Sequence, residues 1–135
     1  MIVDTGVLYA VLDRDDRHHA AAVDLIATTD AVLRVPMLVI AEVTHLAGTR
    51  LGTEAEVRFL GDVALGELIP EPVHPADWER IAELVARYRD LPLGTVDASL
   101  VALAERLGET DVASFDRRDL TVVRPRHCEA LTLLP

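Results

Sequence analysis

This chain of 135 residues contains no lysine, so all thirteen of its basic residues are arginine. That excludes mechanisms that depend on a lysine amine. A phosphate-binding P-loop needs its lysine, and a Schiff-base enzyme needs its amine. A receiver-type phosphoacceptor domain, another small α/β fold with clustered acids, also normally uses one. There is a single cysteine, Cys128, so no disulfide can form within the chain. Such usage fits a reducing compartment. Aromatic residues are only 4% of the chain while apolar residues are 50%, so the core must be aliphatic. No apolar run approaches the roughly 20 residues that a membrane-spanning helix requires. The opening MIVDTGVLYAVLD carries an aspartate early and no basic leader, unlike a secretory signal. These features lead us to expect a cytoplasmic protein with no membrane association. The formal charge of −10 argues against a passive nucleic-acid coat, which would be basic. It leaves a nuclease open, because bound metal and local arginines can supply the positive charge.

The length suits one domain, taken as residues 1–135, and no repeat or linker interrupts it. Short apolar segments predict strands over residues 1–4, 31–35, 67–73, 111–115 and 130–134. Helical patterns are expected at 5–12, 15–28, 36–51, 53–66, 75–89 and 95–108. In the second, Ala20, Val23, Leu25 and Ile26 carry the apolar signal, and in the fourth Val57, Leu60 and Ala64 share a face. In the fifth the signal comes from Trp78, Ile81, Leu84 and Val85. The last helix has Val96, Leu100, Leu103 and Leu107 at three-to-four spacing, with Thr95 available as a cap and Gly108 as a stop. Short strands alternating with helices predict an α/β fold of three layers, a central parallel sheet flanked by helices. In such sheets ligands bind beyond the carboxyl ends of the strands.

Four acids occupy positions that ask for a partner, because an uncompensated buried ion costs several kcal/mol. Glu42 lies in PMLVIAEVTHLAG, with Leu38 one turn before it and Leu46 one turn after. It belongs either to a core ion pair, to the edge of the apolar stripe, or to a site. Asp97 stands in a first helical turn, where it also complements the helix dipole. Asp4 and Asp116 each end a predicted strand, where an N-cap or a turn would equally use them. Taken together, two strand-end acids and two on apolar helix faces can meet at one point. Four carboxylates share a site only around a cation. Oxygen donors select Mg²⁺ or Mn²⁺ rather than zinc, and the five histidines are not arranged as a zinc site. A hard cation held by carboxylates commonly serves phosphoryl chemistry.

The ordered set MIVDTGVLYAVLD, VIAEV, VDASLVALAERLG and SFDRRDL resembles the four acidic motifs of PIN domains, across nearly the whole chain. It is most similar to the toxin half of VapBC-type toxin–antitoxin pairs. The resemblance implies a Mg²⁺- or Mn²⁺-dependent endoribonuclease with Asp4, Glu42, Asp97 and Asp116 as the catalytic, metal-holding acids. It matches Thr5 and Ser114 to hydroxyl residues beside the first and last acids, and Asp119 to an acid that some relatives have. It further implies an RNA substrate such as tRNA or ribosomal RNA, a cognate VapB-type antitoxin and a homodimer. Asp97 and Asp116 are both candidates to orient or deprotonate the attacking water. Arg117 and Arg118 are candidates to grip phosphate, with Arg14 and Arg17 behind them. Two other readings make different demands on the sequence. A haloacid-dehalogenase-type phosphatase would need a second aspartate where Gly6 stands, and a lysine. A catalytically silent PIN fold, acting as an RNA-binding or interaction module, would be marked by lost acids, and all four are present.

Overall fold

A computed structural model describes residues 1–91 and 93–135. Five short parallel strands form one sheet: β1 (Ile2–Val3), β2 (Arg34–Pro36), β3 (Ile69–Glu71), β4 (Asp111–Ala113) and β5 (Thr132–Leu134). Their spatial order is β3-β2-β1-β4-β5. The helices between them are α1 (Thr5–Leu12), α2 (His19–Thr28), α3 (Met37–Leu46), α4 (Thr53–Leu65), α5 (Pro75–Arg87), α6 (Thr95–Leu107) and α7 (Arg117–Leu120). The strands are buried by aliphatic side chains, as the composition required: Ile2, Val3, Val35, Val112 and Ala113 are inaccessible to solvent.

The strand order decides where a site can form. From β1 the chain builds outward through β2 to β3, then crosses back to place β4 on the other side of β1. The crevice between the carboxyl ends of β1 and β4 is therefore the switch point of the sheet. Register fixes the two ends beside each other, with Val3 opposite Ala113 and the Asp4 N–H donating to the Ala113 carbonyl at 3.0 Å. Helix α6, whose residues 98–104 are all buried, lies against β1 and β2 and points its N-terminus at the same edge. On its outer side it carries α5.

Several elements differ from the sequence expectation. The second helix starts at His19 instead of residue 15, because Asp13 and Asp16 cap turns over the preceding residues. The third gives way at Ala47–Leu51 to a wider π turn, ended by Gly52 at φ 92°, a conformation that favours glycine. Gly94, and not Thr95, occupies the cap of α6. On α4 the core face is Ala55 and Phe59, whereas Val57 and Leu60 are exposed. Phe59 has the larger apolar surface, so burying its face wins. Trp78 and Leu107, both counted on apolar faces, are also exposed. Helix α7 was not expected; four residues are too few to show a period.

Candidate active site

Asp4 is the centre of the arrangement. It follows β1 and caps α1, accepting the Thr5 N–H at 2.6 Å on one oxygen and the Ser114 hydroxyl at 2.6 Å on the other. Ser114 follows β4, is fully buried, and takes the Asp116 N–H on its own Oγ at 3.0 Å. Thr5 turns its hydroxyl to Glu42, donating to Oε2 at 2.5 Å. The two hydroxyl residues thus tie the first, second and fourth acids together. Asp97, at the third position of α6, accepts the Gly94 N–H at 3.2 Å. A Cβ on Gly94 would stand 3.2 Å from that carboxylate, which would have to shift by a few tenths of an ångström to make room. Asp116 caps α7 by accepting the Asp119 N–H at 3.2 Å.

Glu42 is half-buried, as are Leu38 and Leu46, while Val39, Ile40 and Val43 form the buried stripe. It therefore stands at the margin of the apolar face, with its carboxylate on the crevice. Each acid also has a local role: Asp4 caps α1, Asp97 stands in the first turn of α6 and Asp116 caps α7. These roles coexist with a shared location, because helices that start at this edge put their caps there.

The electrostatics are unusual for a folded protein. Burial, with the like charges of Asp97 and Glu42 behind it, pushes Asp4 up to about 6, although the Ser114 and Thr5 hydrogen bonds oppose this. Asp97 is raised as well, first by burial and then by Asp116, Asp119 and Glu42, against the bond from Gly94. Desolvation is thus the leading cause and mutual repulsion the second. Among the described residues no arginine forms an ion pair with Asp4, Glu42, Asp97 or Asp116. Asp119 has Arg118 Nε at 3.6 Å, yet its Oδ1 is buried without a hydrogen-bond donor.

This donor set fits a hard divalent cation. The groups are all carboxylate oxygens, they repel one another, and one buried oxygen lacks a donor. They do not form a closed cage: among the described residues no three acid, histidine or cysteine side chains are gathered as a ready metal site. The Asp4 oxygens are held by Thr5 and Ser114, and Glu42 is drawn toward Thr5. Of the arginine candidates, Arg117 directs a guanidinium nitrogen to the Pro135 carbonyl, and Arg118 is largely exposed.

The fold has counterparts among known proteins. The PIN-domain family model matches residues 1–124, and the chain belongs to the PIN-domain family. Within that class it is 33% identical over all 135 residues to ribonuclease VapC26 of Mycobacterium tuberculosis, with both chains fully covered. Among solved structures it is similar to VapC20 of the same organism, described as a sarcin-ricin loop cleaving toxin. The TM-score is 0.81 and the identity 25%, over 87% of this chain and 90% of that one. FitAcB from Neisseria gonorrhoeae matches at TM-score 0.65 and 12% identity, over 99% and 96%, which is a likeness of fold. The motif reading, a PIN-domain nuclease of the VapC class on a parallel α/β sheet, is borne out.

Proposed function

We propose that residues 1–135 form a single PIN domain, the toxin of a type II toxin–antitoxin pair. Its activity is Mg²⁺- or Mn²⁺-dependent endoribonucleolytic cleavage, with tRNA or ribosomal RNA as the substrate class and the cytoplasm as its location. No helix among the described residues is long and apolar enough to cross a membrane. The observation that carries the reading is the uncompensated acid cluster at the switch point, with Asp4 raised to about 6 by burial and by Asp97 and Glu42.

Asp4, Glu42, Asp97 and Asp116 would hold the cation, with Asp119 beside them. When bound, the cation supplies charge neutralisation at the scissile phosphate and makes a water more acidic. Thr5 and Ser114 keep the Glu42 and Asp4 carboxylates pointed into the crevice by the hydroxyl bonds described above. Asp97 or Asp116, both less enclosed than Asp4, would orient the attacking water and take its proton.

A cognate VapB-type antitoxin would meet this surface twice. A basic side chain suits the acidic crevice near Asp4 and Asp97. An apolar cavity of about 540 Å³ between α1, α2 and α4, lined by Leu8, Leu12, Ile26, Phe59 and Leu68, suits the apolar face of a partner helix. Val57, Leu60 and Leu65 are exposed on the same α4. The exposed Met37 and Trp78 are apolar surface that a second copy would cover in a homodimer.

The test is cleavage of purified tRNA and ribosomal RNA by the chain with Mg²⁺ or Mn²⁺, with EDTA, and by Asp97→Asn. Cleavage that needs the metal and is lost in Asp97→Asn is expected. Undiminished cleavage in EDTA, or by the variant, would refute the mechanism. RNA binding without any cleavage would favour the silent module.

A further inference from the structure

The two phenylalanines of this chain have opposite surroundings. Phe59 is enclosed in the core. Phe115 stands between Ser114, whose hydroxyl reaches Asp4, and Asp116, and it is only half-buried. The imidazole of His18 stacks on it, with ring centroids 4.1 Å apart and planes inclined by 14°. Two segments far apart in sequence thus present a small aromatic stack one residue from the acid cluster.

The backbone of His18 is fixed without help from its ring. Asp13 Oδ1 accepts the Asp15 N–H at 3.1 Å, and Asp16 Oδ1 accepts the His18 N–H at 2.7 Å. The neighbouring His19 holds the Ala10 carbonyl through Nδ1 at 2.7 Å. His18 occupies the cap of α2, a position that favours Ser, Thr, Asp or Asn, and its side chain makes no capping bond. Its ring instead faces Phe115, and its Nε2 accepts the Arg17 Nε–H at 2.9 Å. Arg17 is exposed and His18 half-exposed, so the stack has an open side with a cation at its rim. A purely structural bridge between two loops would need neither the open side nor the guanidinium.

We propose that His18, stacked on Phe115 and edged by Arg17, is the platform on which an unpaired RNA base beside the scissile phosphate stacks, while Arg17 takes a neighbouring phosphate. The proposal rests on the ribonuclease reading above. Its physical basis is the charge of the chain. At −10 the protein repels RNA at long range, so affinity must come from contacts that work despite that charge. Base–aromatic stacking is such a contact, since every base offers a π face. A base paired within a continuous duplex cannot reach the platform without unstacking. The substrate class is therefore single-stranded or looped RNA with an accessible base.

The experiment measures binding separately from chemistry. In an Asp97→Asn background with Mg²⁺, a short labelled single-stranded oligoribonucleotide is titrated by fluorescence anisotropy, with His18→Ala, His18→Phe and Phe115→Leu added in turn. Mn²⁺ binding to chains with native Asp97, carrying His18 or His18→Ala, is measured alongside by calorimetry. We expect His18→Ala and Phe115→Leu to weaken RNA binding about tenfold, the scale of one lost stack. His18→Phe should restore it, and Mn²⁺ affinity should not change. A duplex of the same sequence should bind equally poorly to all variants. Unchanged RNA affinity in His18→Ala would overturn the platform. So would a matching loss of Mn²⁺ affinity, since the ring would then be holding the Asp116 loop. A chain with native Asp97 that neither binds nor cleaves RNA would instead defeat the ribonuclease reading itself.

Discussion

Between α5 and α6, Asp77, Glu83 and Glu105 face Arg80, Arg106 and Arg126; at the carboxyl edge of β1 and β4, Asp4, Glu42, Asp97 and Asp116 face one another. In the seam each carboxylate is paired with an arginine, although Arg80 Nη1, 3.0 Å from Glu83 Oε1, is buried without a hydrogen-bond partner. Arg80, 6% exposed, gives Glu105 a forked contact from Nε at 2.9 Å and Nη2 at 2.8 Å. Arg106 reaches Asp77 from Nε at 3.1 Å and the Pro72 carbonyl from Nη2 at 3.0 Å. At the strand ends the acids receive hydroxyls and backbone N–H groups and, among the described residues, no guanidinium. The same residue types are thus settled in two ways within one domain. Where a carboxylate serves the fold, an arginine accompanies it. Where it lines the proposed site, it meets other carboxylates, and that repulsion comes at the expense of stability.

Breaking the seam should cost most. Arg80→Ala leaves Glu105 half-enclosed without its main partner, and loss of one member of a buried pair costs roughly 3–5 kcal/mol. Urea unfolding should show that loss, while metal-dependent cleavage per folded molecule stays unchanged. A loss below about 1 kcal/mol would mean that the seam is not compensating buried charge.

The crevice should respond to pH in the opposite sense from an ion-paired acid. Asp4 binds its proton more tightly in the folded chain, so its penalty is absent below the unfolded value. Metal-free stability should therefore fall as pH rises from 3.8 to about 6 and level off above. At about 1.4 kcal/mol per unit this amounts to on the order of 3 kcal/mol. Asp97, also raised, adds to the same slope. Asp4→Asn keeps the cap and should flatten most of the dependence in EDTA, which thermal melts across pH can follow. An undiminished slope in that variant would place the effect elsewhere.

A smaller change is expected from Asp97→Asn in EDTA. It removes one repelling charge with little change of shape, so stability should hold or rise by up to about 1 kcal/mol. If Asp97 only complemented the helix dipole, the variant would be destabilised by up to about 1 kcal/mol and remain active. Least of all should come from Arg126→Ala. Its contact with Glu83 is exposed on both sides, at 61% and 46%, and the melting midpoint should not move measurably.

Much of the fold was legible in the sequence. Among the described residues, the apolar segments located all five strands and six of the seven helices, and Gly108 ends α6 in the left-handed conformation that its position suggested. Asp4 and Asp116 were readable as strand-end acids. Thr5, Ser114 and Asp119, reached only through the resemblance, bond to the acids or lie next to them. The buried face of α4 was misjudged, since a helix's register against its neighbours depends on which groove receives it, and a period alone leaves that open. The pairing of His18 with Phe115 had no local signal beyond a histidine at a cap it does not serve.

By itself, the sequence determined which groups exist and in what order: aliphatic strands, acids at their ends, arginine as the sole strong cation. It also determined the motif set by which the PIN family is recognised. The tertiary structure decided which acids are compensated. Asp4 and Ser114 are 110 residues apart and meet because β4 returns to pair with β1. Arg80 and Glu105 meet because α5 lies on α6. Charge–charge energy depends on separation, and desolvation depends on enclosure by other atoms. Neither quantity is written in composition or spacing, so only the assembled sheet and helices turn a list of carboxylates into a paired seam and an unpaired site.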